Sequence, residues 1–203
     1  LSSDGSVVAI GAIGNDGNEN NSGHVRVYEW DGSAWIQKGL DIDGEAADDY
    51  SGVSLSLSSD GNVVAIGAIG NDGNGNNSGN VSVYEYVNNS AWIQKGIQFS
   101  GEAVDDQAGV SVSLSSDGNV VAIGARYNDG NGNNSGNVSV YEWNHNDSLW
   151  IAKGFDIDGE EVDDHSGVSV SLSSDGNVVA IGAIGNDGNG NNSGHVRVYE
   201  YVN

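Results

Sequence analysis

An all-β fold, built of four-stranded antiparallel blades in tandem, is what this sequence predicts, and three observations carry it. The tetrad Leu-Ser-Ser-Asp recurs at Leu1, Leu57, Leu114 and Leu172, so the chain is a set of repeats of 56 to 58 residues. Within each repeat the apolar residues alternate with polar ones over short runs, and no 3.6-residue period is sustained. Glycine is abundant at 32 residues while proline is absent, so the turns between runs depend on Gly, Asn and Asp rather than on a proline-fixed φ.

The elements follow in order within the second repeat. Strand A covers 52–57, where Val53, Leu55 and Leu57 alternate with Ser54 and Ser56. Ser59-Asp60-Gly61-Asn62 supplies a tight turn, since Asp-Gly tolerates the positive φ of a hairpin. Strand B, 63–68, is apolar on both faces and is therefore placed centrally in the sheet. A Gly/Asn-rich loop over 69–79 leads to strand C at 81–86, and strand D at 92–97 closes the unit. The lysine in each D strand (Lys38, Lys95, Lys153) reads as a charge that discourages pairing at an outer edge. Tyrosines Tyr28, Tyr84, Tyr141 and Tyr199 lie in C strands, and Trp35, Trp92 and Trp150 open D strands, where packing between blades is their expected role.

The landmarks divide the chain into repeats 1–56, 57–113 and 114–171 and a partial repeat 172–203, all in one repeat domain of about 3.5 units. Tyr-to-Trp intervals are 7, 8 and 9 residues whereas the other spacings are constant, so length variation is confined to the C–D loop. Four-stranded meanders at this period are the pattern of β-propeller blades. A β-sandwich is the alternative, but it offers no reason for such exact repetition. At 3.5 units, the chain reads as a segment of a larger ring or array.

The repeated segments Asp49-Tyr50-Ser51-Gly52, Asp106-Gln107-Ala108-Gly109 and Asp164-His165-Ser166-Gly167 recur with Gly-Ala-Ile at Gly11, Gly67 and Gly182 and Gly-Ala-Arg at Gly124. They resemble the FG-GAP repeats of integrin-like and bacterial surface propellers, with the Phe and Pro of both motifs replaced. That resemblance implies a non-enzymatic extracellular scaffold, commonly used in adhesion. It does not extend to the calcium loop of integrin-like members, because the A–B turn here is too short to wrap an ion that takes six to eight oxygens.

Charge separates two ends of the blade. Six basic residues stand against 29 acidic ones, for a net charge of -23, so a nucleic-acid backbone or an anionic membrane surface would be repelled. No apolar run has the length of a membrane-spanning helix. Zero Cys excludes disulfides and thiolate metal sites. The D–A and B–C loops, sharing one end, hold 19 of the 29 acids.

Hard oxygen donors at short spacing make calcium the sharp expectation for these loops: Asp41, Asp43, Glu45, Asp48 and Asp49, then Glu102, Asp105 and Asp106, then Asp156, Asp158, Glu160, Asp163 and Asp164. A solvated acidic surface is the alternative. The B–C loops carry too few carboxylates for calcium and read as turns. Asn-x-Ser places N-glycan acceptors at Asn20, Asn76, Asn133 and Asn191, with further sequons at Asn80, Asn137, Asn88 and Asn146.

No catalytic constellation is legible. The four His are scattered, and a reaction needs residues that are unique in the fold and converge on one cleft. The sequence therefore predicts a non-enzymatic extracellular or cell-surface protein, structural or adhesive, with glycan-bearing loops. Two alternatives stand beside it: a filament or surface-coat subunit completed chain to chain, and a calcium-dependent ligand-binding propeller. The expected partners are further repeats, other copies of the chain, or a protein or glycan ligand, with no nucleic acid and no membrane insertion.

Overall fold

The computed structural model describes residues 1–202 and contains only β structure, arranged as four antiparallel sheets in tandem. The first sheet comprises β1 (Val7–Ala12), β2 (His24–Trp30), β3 (Trp35–Gln37) and the two-residue β4 (Ile42–Asp43). The second comprises β5 (Ser54–Leu57), β6 (Val63–Ala68), β7 (Asn80–Val87), β8 (Ala91–Gln94) and β9 (Phe99–Ser100). The third repeats that plan with β10 (Ser111–Leu114), β11 (Val120–Ala125), β12 (Asn137–Asn144), β13 (Leu149–Ala152) and β14 (Ile157–Asp158). The fourth holds β15 (Ser166–Leu172), β16 (Val178–Ala183) and β17 (His195–Glu200). Neighbouring sheets bring their inner strands together, β5 to β10 and β10 to β15, and β1, the strand B of the first blade, meets β5, so the blades form an open arc around a common inner side.

Strand B is central, as its two apolar faces require. Every residue of β6 and β11 is buried. The predicted D strand, in contrast, is broken. β8 ends at Gln94, the chain turns at Gly96 with φ of 78°, and β9 returns to pair with the start of β7, Asn80 to Ser100 and Val81 to Phe99. Glycine suits this position on two counts: its φ is positive, and the indole of Trp150 occupies the space where a Cβ would stand.

The hydrophobic core lies between the blades, in three layers. Val7, Val25, Val27 and Ile42 of the first blade pack on Val64 and Ile66 of the second. Val63, Val81 and Val83 meet Val112, Leu114, Val121, Ile123 and Trp150 at the next joint. Ala122 and Val138 meet Val179 and Ile181 at the last. Each central strand therefore serves two joints at once, through alternate residues.

Polar side chains fasten the same joints. The indole Nε1 of Trp92 donates to the carbonyl of Lys38 at 2.7 Å, and Trp150 repeats this on Lys95 at 2.7 Å. The Lys38 ammonium donates to Asn62 Oδ1 of the next blade at 2.8 Å, and its Nζ lies 5.0 Å from the Tyr86 ring centroid. Lys95 reaches Asn119 at 2.9 Å and Lys153 reaches Asn177 at 3.0 Å. Burial pushes the Lys95 ammonium below its usual value, against the pull of Glu85 and Asp117. The expectation that these lysines are exposed edge charges is thus corrected. They sit just past the edge strand and are turned inward to bridge blades.

On the inner side the alternating serines also span joints. Leu114 N donates to Ser56 Oγ and Leu172 N to Ser113 Oγ, both at 2.9 Å. The A–B turns form a backbone chain from Ser3 N to Ser59 O, Ser59 N to Ser116 O, and Ser116 N to Ser174 O.

Two predictions follow from this joint chemistry. Trp150 is 8% exposed and Trp35 45% exposed, so Trp150→Ala should cost about 3–5 kcal/mol of unfolding free energy, against less than about 1 kcal/mol for Trp35→Ala; denaturant titration monitored by circular dichroism measures both.

The second concerns the A–B turns. Hydrogen bonds from Ser6 N and the Ser2 hydroxyl hold the Asp4 carboxyl down from the usual 3.8 to about 2. At Asp60 and Asp117 burial works the other way, but hydrogen bonds from Ser58 and Asn62, and from Ser115 and Asn119, outweigh it and lower both. A carboxyl lowered on folding stabilises above its unfolded pKa of about 4, and that contribution is lost as pH falls toward 2. Asp60→Asn combined with Asp117→Asn should therefore be less stable than the parent at pH 7, by about 1–2 kcal/mol per site, with the gap closing at pH 2.

Candidate functional site

The acidic end of the arc is built from D–A and B–C loops, and hydrogen bonds hold it rigid. Asp49, Asp106 and Asp164 are each 2% exposed. Asp106 Oδ2 accepts the backbone N–H groups of Glu102 at 3.0 Å and Ala103 at 2.9 Å. Asp49 does the same for Glu45 and Ala46, and Asp164 for Glu160 and Glu161. An asparagine amide from the following B–C loop, Asn71, Asn128 or Asn186, donates to the same carboxylates. A buried carboxylate with three N–H donors is well satisfied, and it ties one loop to the next blade.

The neighbouring acids are more exposed and serve other contacts. Asp48, Asp105 and Asp163 take positive φ near 60° and accept the side-chain amides of Asn21, Asn77 and Asn134. Asp41 binds Arg26 through both oxygens and also Gln37, and the Arg26 bonds hold its pKa down against burial. Asp156 accepts the Ser139 hydroxyl at 2.6 Å. Asp158 is shifted upward by burial and then by Asp156. Glu102 accepts from Asn128, Glu160 pairs with Arg197, and Glu45 projects from the exposed surface.

The structure brings few of the predicted calcium ligands together. Among the described residues, only His24, Asp41 and Asp43 bring three metal-type donors within 4.8 Å of one another. The Arg26 guanidinium is hydrogen-bonded to Asp41 of this group. The predicted ligands Asp49, Asp106 and Asp164 each commit Oδ2 to the protein's own N–H groups. In the B–C loops Asp16, Asp72, Asp129 and Asp187 each accept a backbone N–H five residues on, which makes these loops turns.

The sequons divide by position. Asn20, Asn76, Asn133, Asn191, Asn88 and Asn146 are exposed. Asn80 and Asn137, each 4% exposed, open β7 and β12 inside the sheet, so the expectation of glycan acceptors there is corrected. An attached sugar would need the space the neighbouring strand occupies.

One place on this end breaks the repeat. Where other blades have Ile-Gly after Gly-Ala, the third has Arg126-Tyr127. Arg126 Nη2 donates to Gln107 Oε1 at 3.0 Å, and its guanidinium lies 4.5 Å from the Tyr127 ring centroid. Tyr127 meets the His165 ring edge-on at 5.3 Å, and a His165 ring nitrogen lies 3.4 Å from the Arg126 carbonyl oxygen. Arg126 Nε is buried without a hydrogen-bond partner among the described residues. His165 immediately precedes β15, and Gln107 lies four residues before β10. Arg126 and His165 lie 39 residues apart in the chain, and only the blade joint unites these two departures from the repeat.

The repeat pattern itself is matched at residues 38–84, 98–141 and 156–199 by the FG-GAP repeat. The chain belongs to the FG-GAP repeat family. No curated protein matches it in sequence. Solved structures share the fold of this FG-GAP chain at low identity. A candidate 6-phosphogluconolactonase of Bacteroides fragilis aligns with TM-score 0.60 and 13% identity over 98% of this chain and 49% of its own. One of Bacteroides uniformis gives 0.59 and 12% over 94% and 49%. The periplasmic gluconolactonase of Pseudomonas aeruginosa gives 0.52 and 19% over 95% and 49%. The FG-GAP chain thus spans about half the length of these structures.

These neighbours overturn the expectation of a non-enzymatic protein. Repetition of blades was the ground for excluding catalysis, yet the same blade architecture carries proteins named as lactonases. Repeated blades can hold a non-repeated site, and Arg126, Tyr127, Gln107 and His165 show how one arises in this FG-GAP chain.

Removing a buried loop acceptor tests the rigidity of the acidic end. Asp106→Ala would strand two backbone N–H groups and the Asn128 amide, and should cost about 2–3 kcal/mol. Glu45→Ala, at an exposed position, should stay within about 0.5 kcal/mol, with denaturant titration as the measure for both.

Proposed function

We propose that this FG-GAP chain is part of an extracellular or cell-surface scaffold that presents its acidic loop end to a macromolecular partner. The observation that carries the reading is the preorganisation of that end. Buried Asp49, Asp106 and Asp164 clamp each D–A loop, so a partner would meet carboxylates already fixed in place. Binding to a preformed surface avoids the cost of ordering loops. With 19 of the 29 acidic residues in these loops, the complementary partner is a basic protein surface. Arg126, with its stacked Tyr127, supplies a cationic point within the acidic end that, unlike Arg26 and Arg197, has no carboxylate partner among the described residues, and it is suited to an acceptor group on the partner.

Exposed sequons on the B–C loops are compatible with an extracellular setting, and glycans at Asn20, Asn76, Asn133 and Asn191 would flank the same end. No helix among the described residues is long and apolar enough to cross a membrane.

The experiment is capture of surface partners from the source cells on the immobilised chain, with charge-reversed and Arg126 variants as competitors. Glu45→Lys and Glu161→Lys lie at exposed positions and should reduce association rates about tenfold at low salt while leaving the circular dichroism spectrum unchanged. Arg126→Ala should raise the dissociation rate. Binding that is insensitive to all three, or to ionic strength, would remove the acidic end from the reading.

A further inference from the structure

In the first blade, the return of β4 to the start of β2 gathers an imidazole and two carboxylates. His24 and Asp43 are cross-strand partners, and Asp41 stands two residues before Asp43, the spacing that returns a side chain to the same face. Their donor atoms all lie within 4.8 Å of one another. His24 Nδ1 faces Asp41 Oδ2 at 3.7 Å and Asp43 Oδ1 at 3.9 Å, both too long for hydrogen bonds. The His24 side chain is only 7% exposed and has no hydrogen-bond partner among the described residues. A buried imidazole ordinarily satisfies its nitrogens, so one aimed across such gaps at two carboxylates is an open set of ligands.

The gaps have the size an ion requires. Zinc-class ions bind nitrogen and carboxylate oxygen at about 2.0–2.2 Å, so two ligands at an angle of about 110–130° stand about 3.4–3.8 Å apart. Asp41 is held as metal-bound carboxylates usually are, by donors behind it: Arg26 Nε and Nη2 reach it at 2.9 and 2.8 Å, and Gln37 Nε2 at 2.7 Å. Asp43 is half exposed and can close on the ion from the solvent side. The surrounding excess of 29 acidic over six basic residues favours a cation.

The imidazole sets this blade apart from the next two. The same three positions hold Asn80, Gln98 and Ser100 in the second blade, and Asn137, Asp156 and Asp158 in the third. In the fourth blade His195 occupies the place of His24 and faces Glu160 at 3.8 Å.

We infer that His24, Asp41 and Asp43 form a binding site for a divalent transition-metal ion of the zinc class. Nδ1 and one oxygen of each carboxylate are the protein ligands, which leaves a fourth position for water or a ligand atom. A mixed nitrogen and oxygen set suits zinc-class ions, whereas calcium and magnesium take oxygen donors. The site goes beyond the partner-binding reading of the acidic end and stands or falls separately from it.

The test is calorimetric titration of Zn²⁺ into the 203-residue chain after treatment with a chelator. One saturable site per chain is expected, weakened at least tenfold by His24→Asn and by Asp43→Ser. Both variants install the residue that the second blade carries at that position, so an unchanged circular dichroism spectrum is expected; should His24→Asn fail to fold, Asp43→Ser at its exposed position decides. His195→Asn should leave the affinity unaltered. Undiminished Zn²⁺ binding in either folded variant would overturn the proposal in favour of diffuse attraction to the acidic surface. Ca²⁺ bound as tightly as Zn²⁺ would overturn it in favour of an oxygen-only site, and a loss on His195→Asn equal to that on His24→Asn would overturn the assignment to the first blade. Absence of saturable Zn²⁺ binding would overturn it outright.

Discussion

The structure depends on the close approach of two backbones at every blade joint. Gly11, Gly67 and Gly124 sit in strand B and face the carbonyls of Gly52, Gly109 and Gly167, which open the next inner strand. A Cβ on any of the first three would collide with that backbone. This contact brings together the two glycine motifs of the family, which lie about 40 residues apart in the chain. It also sets how near the blades can come, and so which side chains can fill the space between them.

Once the backbones are that close, the rest of each joint is determined by size and polarity. Valine and isoleucine fill the inner part of the joint, where strand B presents alternate residues to two neighbours. Farther out the gap is wide enough for an indole, and a bent glycine makes room for it. Polar groups at the same joints are matched across it, so that lysine meets asparagine and inner-strand serine meets a backbone N–H. A blade contributes little core of its own; it is stabilised by its neighbours, as in other repeat architectures.

The loops inherit this rigidity. The D–A loop leaves one blade and enters the next, and its buried aspartate is bonded to both. An acidic end that looks from its charge like a flexible, solvated surface is therefore held in a single arrangement, and most of the loop carboxylates have partners within the protein. The Arg126 cluster shows the other use of a joint: three residues from separate segments meet only because two blades pack. That is how an array of near-identical units acquires one place unlike the others.

Repeat length, strand order and the central position of strand B were legible in the sequence, because period-2 alternation and the two-sided apolar run Val63–Ala68 report the environment of each strand directly. The turn chemistry of Asp60-Gly61 was legible for the same local reason. Three features were decided only by tertiary structure. Lys95 reads as an edge charge in isolation and becomes a buried bridge because Asn119 of the next blade receives it. Asp106 reads as a calcium ligand and becomes a loop clamp because the chain folds back to present two N–H groups to it. Gln107, Arg126 and His165 carry no shared signal along the chain and converge at a joint. Local pattern encodes the strand a residue occupies, whereas the partner of a charged or polar side chain depends on which residue of another blade the packing places beside it.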